Sequence, residues 1–364
     1  MLRRLAREFA DHLGLTDPSR PSVISPLEDI AFFPSLARIG AAGTSRLRIH
    51  GWIYQPEHDS SKRTALLNGL ARLFGLGDPE RFAPDAAGIF RERLRPFLVD
   101  NERAKRVAVR VGGATLVLPR SAANGHFVAE LELDAEVTRA AFVPGPPPGL
   151  AYDAVLQAGD TRSFRGLARI LPEEGVSVVT DIDDTLKVSH VHNKRLLLRR
   201  TFTEPFEVVR GMPNLLARLA GTPGASVHYV SAAPWQLHAP LEAFLAAQGF
   251  PAGSLHLRAI RLKDRSLLHL FREPTEHKLT IIRRLMAVWP RRKFVLVGDS
   301  SEQDPEIYAA LAREHPGRVE HVYIRDTTGE AMTASRYRRS LWSVLEGRWT
   351  LFADAETVTP HAGG

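Results

Sequence analysis

Val178-Val-Thr-Asp-Ile-Asp-Asp-Thr-Leu-Lys-Val-Ser-His190 is an apolar run that ends in Asp181, Asp183 and Asp184 and continues through Thr185. A strand closing on carboxylates carries charge to the edge where a sheet meets solvent. In an open parallel sheet, that edge is where ligands bind. Three acids within four positions repel one another unless a cation lies among them. The stretch therefore predicts a strand end at which a divalent metal and an oxyanion meet. A single strand-end Asp would read as a helix cap, but three so close together do not.

Downstream, strand and helix patterns alternate. Strands are expected at 175–181, 225–231, 293–299 and 318–324, and helices at 212–220, 239–248, 277–289 and 305–314. Met212, Leu215, Leu216 and Leu219 mark the buried stripe of the first of these helices. The alternation predicts a doubly wound, Rossmann-like α/β domain with a largely parallel sheet over residues 172–350. Three further polar groups fall at strand ends or helix starts of this domain. Ser231 ends Val227-His-Tyr-Val-Ser231, Lys278 opens a helix, and Asp299 ends Phe294-Val-Leu-Val-Gly-Asp299 with Asp304 five residues on. Taken singly, the serine reads as a cap, the lysine as a solvated group and Gly298-Asp299 as a turn. Their order and shared sheet edge make that joint reading improbable.

The set resembles the haloacid dehalogenase superfamily of aspartate-based phosphatases: Asp-x-Asp-x-Thr at 181–185, a strand-final serine at 231, a lysine at 278, and Gly-Asp-x-x-x-x-Asp at 298–304. More narrowly, Asp181-Ile-Asp-Asp-Thr-Leu-Lys187, Tyr229-Val-Ser-Ala-Ala-Pro-Trp-Gln-Leu237 and Val297-Gly-Asp-Ser-Ser-Glu-Gln-Asp-Pro-Glu-Ile-Tyr308 are similar to the actin-patch phosphatidate phosphatase catalytic domain, a relative of the lipins. Tyr323-Ile-Arg-Asp326 fits the strand that follows. Ser301 stands where that family leads one to expect glycine, and Ala233 where serine is commoner.

The resemblance implies Asp181 as nucleophile and Asp183 as acid and then base, with Thr185, Ser231 and Lys278 serving the phosphoryl group. It implies Mg²⁺ on Asp181, the Asp183 carbonyl and Asp299, with Asp304 behind them. These roles agree with what carboxylates and cations do in phosphoryl transfer. Asp184 reads as a turn cap rather than a reagent. Lys194, Arg195, Arg199 and Arg200, interleaved with leucines, would form a flap over the site, suited to phosphate and acyl chains. A solvated basic loop is the plainer reading of that segment. No large cap insertion separates the motifs, and an open site suits a bulky substrate. The function expected is hydrolysis of phosphatidic acid to diacylglycerol through an aspartyl-phosphate. The alternatives are the same chemistry on a soluble phosphomonoester, nucleotide or phosphoprotein, and an anionic-lipid-binding module without turnover. His190 and His192 lack partners at fixed spacing, and His228 is expected within a buried strand, so metal ligation by histidine is not expected. Trp235 is expected to pack at the rim of the site.

Upstream, the pattern changes. Alternating strands are expected at 46–54, 106–111, 114–118, 127–133 and 150–156, with Gly112-Gly113 as a hairpin turn and helical pieces from Thr64 to Phe74 and from about Ala86. This predicts a small β-sandwich with a helical insertion over residues 41–171, and it carries no catalytic constellation. Residues 1–40 read as an N-terminal amphipathic helix and a Pro/Ser linker, and residues 351–364 as a loose tail. The 364 residues hold no cysteine, which excludes disulfides and thiolate zinc sites. A net charge of +7 favours phosphate-bearing partners. No nucleic-acid module is recognisable, and no apolar stretch is long enough to span a bilayer. A cytoplasmic protein with peripheral contact to anionic membrane is expected.

Overall fold

The computed structural model describes residues 20–56, 60–145, 147–260 and 275–360. The N-terminal helix expected within 1–14 lies outside the described residues, as does the end of the tail after Pro360. The chain divides into two compact units. One takes Met1–Arg63 and Leu98–Pro172, the other Thr64–Phe97 and Glu173–Gly364. The helical pair α1 (Ser60–Leu73) and α2 (Pro84–Leu94) thus interrupts the first unit in sequence but clusters with the second.

The first unit is built from β1 (Asp29–Phe33), β2 (Ser35–Ile39), β3 (Ser45–Pro56), β4 (Val99–Asn101), β5 (Ala108–Val111), β6 (Ala114–Val117), β7 (His126–Leu133), β8 (Phe142–Val143), β9 (Gly149–Val155) and β10 (Arg165–Ile170). All ten hydrogen-bond as one network. The long β3 joins its parts, pairing with β1, β2, β4 and β7 at different points along its length. Leu47, Ile49, Ile53, Val109, Val111, Phe127, Leu150 and Ala168 form its core. Gly112 and Gly113 both have positive φ and close the two-residue β5–β6 turn, a conformation that glycine adopts at little steric cost. One helix, α3 (Ala135–Ala141), is capped by Asp134. The linker expected up to residue 40 is corrected here, because Asp29–Phe33 and Ser35–Ile39 are strands. Only Pro34 separates them, and neither alternates cleanly between apolar and polar residues.

The second unit holds a six-stranded sheet in which every pair is parallel. Its strands are β11 (Val176–Thr180), β12 (Ser226–Pro234), β13 (Gly253–Arg258), β14 (Lys293–Asp299), β15 (Val319–Arg325) and β16 (Trp349–Phe352), in the order β13-β12-β11-β14-β15-β16. The helices are α4 (Lys194–Phe202), α5 (Met212–Leu219), α6 (His238–Ala247), α7 (Thr275–Val288) and α8 (Asp304–Glu314). Strand order reverses at β11 and β14, so their carboxyl ends flank the crevice where an open sheet binds ligands. Met212, Leu215, Leu216 and Leu219 are buried as their spacing predicts, each stabilising the fold by about 1.5–3 kcal/mol relative to exposure.

The opposite edge of this sheet is tied by Arg292, which is fully buried. It donates to the Ser177 hydroxyl at 2.8 Å and to the carbonyls of Glu174, Val176 and Gly224 at 2.6–2.8 Å. The expectation of a loose tail is corrected up to Pro360. Ala355 and Val358 are buried, and Glu356 pairs with Arg210 at 3.1 Å. Two small apolar residues in a polar stretch are enough to dock it. Among the described residues, no helix is long and apolar enough to cross a membrane.

Candidate active site

Asp181 is the first residue beyond β11, and its amide still bonds the Val297 carbonyl of β14 at 3.0 Å. The chain then turns tightly: the amides of Leu186 and Lys187 both bond the Ile182 carbonyl, and Asp184 adopts φ +55°. Ile182 is buried in the turn. The Asp184 carboxylate accepts the backbone amides of Ser189, His190 and Val191 at 2.7–2.8 Å, which makes it a cap for this turn. Its carbonyl accepts from Arg325 at the end of β15 at 2.5 Å.

The buried Asp181 carboxylate lies 3.1 Å from the Lys278 ammonium and accepts the Thr185 hydroxyl at 3.1 Å. Thr185 is also 3.4 Å from Asp299. Lys278, buried in the first turn of α7, contacts Asp304 as well. The other Asp304 oxygen accepts the Asp299 amide at 3.2 Å. Gly298 permits this arrangement, since a Cβ there would fall 2.1 Å from that oxygen. Asp299 is fully buried, and its Oδ1 accepts both the amide and the hydroxyl of Ser301. The serine that departs from the expected glycine thus makes a contact glycine cannot. Burial pushes the Asp299 carboxyl above the usual carboxylate range, against the opposing pull of Ser301 and Lys278.

Asp183 belongs to a second network. Its Oδ1 lies 2.7 Å from the Lys187 ammonium and accepts the Ser189 hydroxyl at 2.7 Å, and its Oδ2 accepts Ser231 at 3.0 Å. Burial works to raise this carboxyl, but the Lys187 charge and these three hydrogen bonds outweigh it and hold the group below its ordinary value. Ser231 also accepts the Ala233 amide at 3.0 Å, fixing the end of β12. Lys187 and Ser189 lie within the opening stretch, yet sequence reasoning assigned them no role. Their signal is positional: in a turn that doubles back, residues four and six places after Asp183 can reach it.

Among the described residues, Asp181, Asp299 and Asp304 form a group whose ligand atoms lie within 4.8 Å of one another. Lys278 is the cation bonded to two of them, which leaves about two negative charges in a buried, all-oxygen setting. That donor set fits a hard divalent cation. Asp304 is already engaged by Lys278 and the Asp299 amide.

Of the residues expected to form a flap, Arg199 pairs with Glu204 and Arg200 with Glu207, both at 2.7 Å. Lys194 and Arg195 are exposed in the first turn of α4, behind the Asn193 cap, with no acidic partner among the described residues. His228 is fully buried in β12, bonded to Ser254 and Ser177, and burial keeps it neutral. Trp235 is buried.

Residues 176–326 match the family described as phosphatidate phosphatase APP1, catalytic domain. This stretch is an APP1-like phosphatidate phosphatase catalytic domain. The phosphatidate phosphatase APP1 of Saccharomyces cerevisiae is 29% identical over 154 residues, 42% of this chain and 26% of that protein. An uncharacterized protein of Schizosaccharomyces pombe is 33% identical over 178 residues, 46% of this chain and 28% of its own length. The match thus spans little more than a quarter of either relative. The APP1-like segment includes Asp181, Asp183, Ser231, Lys278, Asp299 and Asp304, together with Lys187, Ser189 and Ser301.

Proposed function

We propose that the chain is a Mg²⁺-dependent phosphatidate phosphatase of the haloacid dehalogenase type, with a sandwich-like first unit. The observation that carries this reading is a pair of carboxylates two residues apart held in separate networks, Asp181 between Lys278 and Thr185 and Asp183 among Lys187, Ser189 and Ser231. Asp181 stands at the sheet edge against the Lys278 ammonium and the Thr185 hydroxyl, and would serve there as the nucleophile. Its oxygen bonds phosphorus as the bond to the leaving alkoxide breaks, and Asp183 gives that alkoxide a proton. Water then attacks the phosphorus of the aspartyl-phosphate, its proton passes to Asp183, and the bond to Asp181 breaks to release phosphate.

Asp183 is stabilised as the carboxylate, which suits the second step. An arriving phosphate dianion adds like charge, and this favours the protonated acid needed in the first. Asp181, Asp299 and the Asp183 carbonyl would hold Mg²⁺, backed by Asp304. When bound, the ion supplies charge neutralisation at the phosphoryl oxygens. Ser231 and Lys278 face the same charge. Lys194 and Arg195 are the flap cations available to a headgroup at an anionic membrane surface, in keeping with the net charge of +7.

The test is phosphate release with Mg²⁺ from phosphatidate in mixed micelles, beside soluble phosphomonoesters, nucleotides and a phosphopeptide. Phosphatidate is expected to be the best substrate, and Asp181→Asn is expected to lower turnover by about a thousandfold or more. A preference for soluble esters would favour the second substrate class. Lipid binding without turnover, alike in wild type and Asp181→Asn, would leave only a binding module.

A further inference from the structure

The helical pair α1–α2 enters the chain between β3 and β4 of the first unit, yet clusters with the catalytic unit. We propose that it is the brace of the substrate flap and that Arg93, near the end of α2, is its positioning residue. The inference deepens the phosphatidate reading and rests on it for its substrate.

Arg93 is 8% exposed and has no carboxylate bonded to it among the described residues. Its Nη1 donates instead to the carbonyls of Thr201 at 2.6 Å and Glu204 at 2.8 Å, with Arg200 at the limit of hydrogen-bond distance. Those carbonyls lie at and beyond the C-terminal end of α4, where a helix leaves its last acceptors unsatisfied and its dipole favours a cation. The guanidinium carbon lies over the Phe206 ring, 3.6 Å from its centre. Two more contacts come from the same inserted segment. Phe74 stacks on Phe202, the last residue of α4, with ring centres 5.2 Å apart, and Phe97 meets that ring edge-on at 5.8 Å. Phe202 is fully buried as a result.

This end of the flap is therefore fixed by aromatic packing and a buried arginine, while the other end presents Lys194 and Arg195 to solvent. The brace also reaches toward the chemistry. The Phe206 ring that Arg93 covers lies 4.8 Å from the Lys187 ammonium, and Lys187 bonds Asp183. Burial lowers the Arg93 guanidinium to about 10, which leaves it charged at neutral pH. Thr201 and Phe202 are thus held by groups more than a hundred residues earlier in the chain, and the basic face of a nine-residue helix keeps one position.

The test uses the full chain with Arg93→Met, which keeps much of the stem but removes the donors, and Arg93→Lys, which keeps the charge. Amide exchange is read across residues 194–206 and, as an internal reference, across β14. KM and kcat are measured with phosphatidate in mixed micelles. Exchange in 194–206 is expected to rise about tenfold or more in Arg93→Met, less in Arg93→Lys, with β14 unchanged. KM for phosphatidate is expected to rise by about fivefold while kcat moves by less than about twofold. Exchange unchanged in 194–206, or raised equally in β14, would overturn the brace. A loosened flap with an unaltered KM would overturn its role in holding substrate. If wild type releases no phosphate from phosphatidate, the substrate reading falls, while the exchange comparison still decides whether Arg93 braces the flap.

Discussion

The Asp183 carboxylate accepts hydrogen bonds on both oxygens and faces the Lys187 charge, so a proton can be added only by weakening those contacts. Its folded pKa is depressed. The stability it contributes is therefore fully present above the unfolded value near ~4 and is lost as pH falls through the lower folded value. In Lys187→Met, the basic limb of the kcat/KM profile, set by the protonated Asp183 that the first step needs, is expected to move upward by about one pH unit or more; an unmoved limb would remove Lys187 from the control of Asp183. Asp299 has the opposite sign. Its folded pKa is raised, so it costs stability once pH exceeds the unfolded value, and the cost is complete above the folded value. Mg²⁺ is accordingly expected to raise Tm by several degrees at pH 7 and by little near pH 4. Asp299→Asn is expected to raise the metal-free Tm and abolish the increment, as calorimetry would show. The candidate acids Asp181, Asp183, Asp299 and Asp304 were legible because they sit in short motifs that end or follow β11 and β14. Arg93 was not, because its partners Thr201, Glu204 and Phe206 are distant in the chain and an isolated arginine in a helix carries no local signal.

Elements with long apolar runs were equally legible. The strand expected at 293–299 spans Lys293–Asp299, and helices α5 to α8 begin and end within two residues of their expected bounds. The edge strands β13 and β16 were missed. Each has one parallel neighbour and is held in the sheet by tertiary pairing rather than by its own pattern. Arg292 is the counterpart of the site at the far edge of the sheet, binding carbonyls ahead of β11 and β12 from a position just before β14. Arg292→Met leaves those buried acceptors without their donor. It is expected to lower stability by about 2–4 kcal/mol with kcat per folded molecule unchanged, as urea unfolding and active-site titration would show. A large fall in kcat at full folding would mean that the two edges are coupled.

The path of the chain through the two units has a consequence for the molecule as a whole. A fragment beginning at Glu173 contains every residue assigned to the chemistry but lacks Phe74, Arg93 and Phe97. Phe202 would then be exposed and the carbonyls after α4 left without their donor. That fragment is expected to give a far lower soluble yield than the full chain; equal yield and equal turnover would show the inserted helices to be dispensable. During synthesis the order matters as well. The inserted helices leave the ribosome roughly 75 residues before the first residue of the sheet unit they belong to, an interval of about 4–15 s at ordinary elongation rates. For that time an aromatic face has no partner, and whatever shields it then, whether the growing first unit or a chaperone, acts on the second unit before Asp181 has been made.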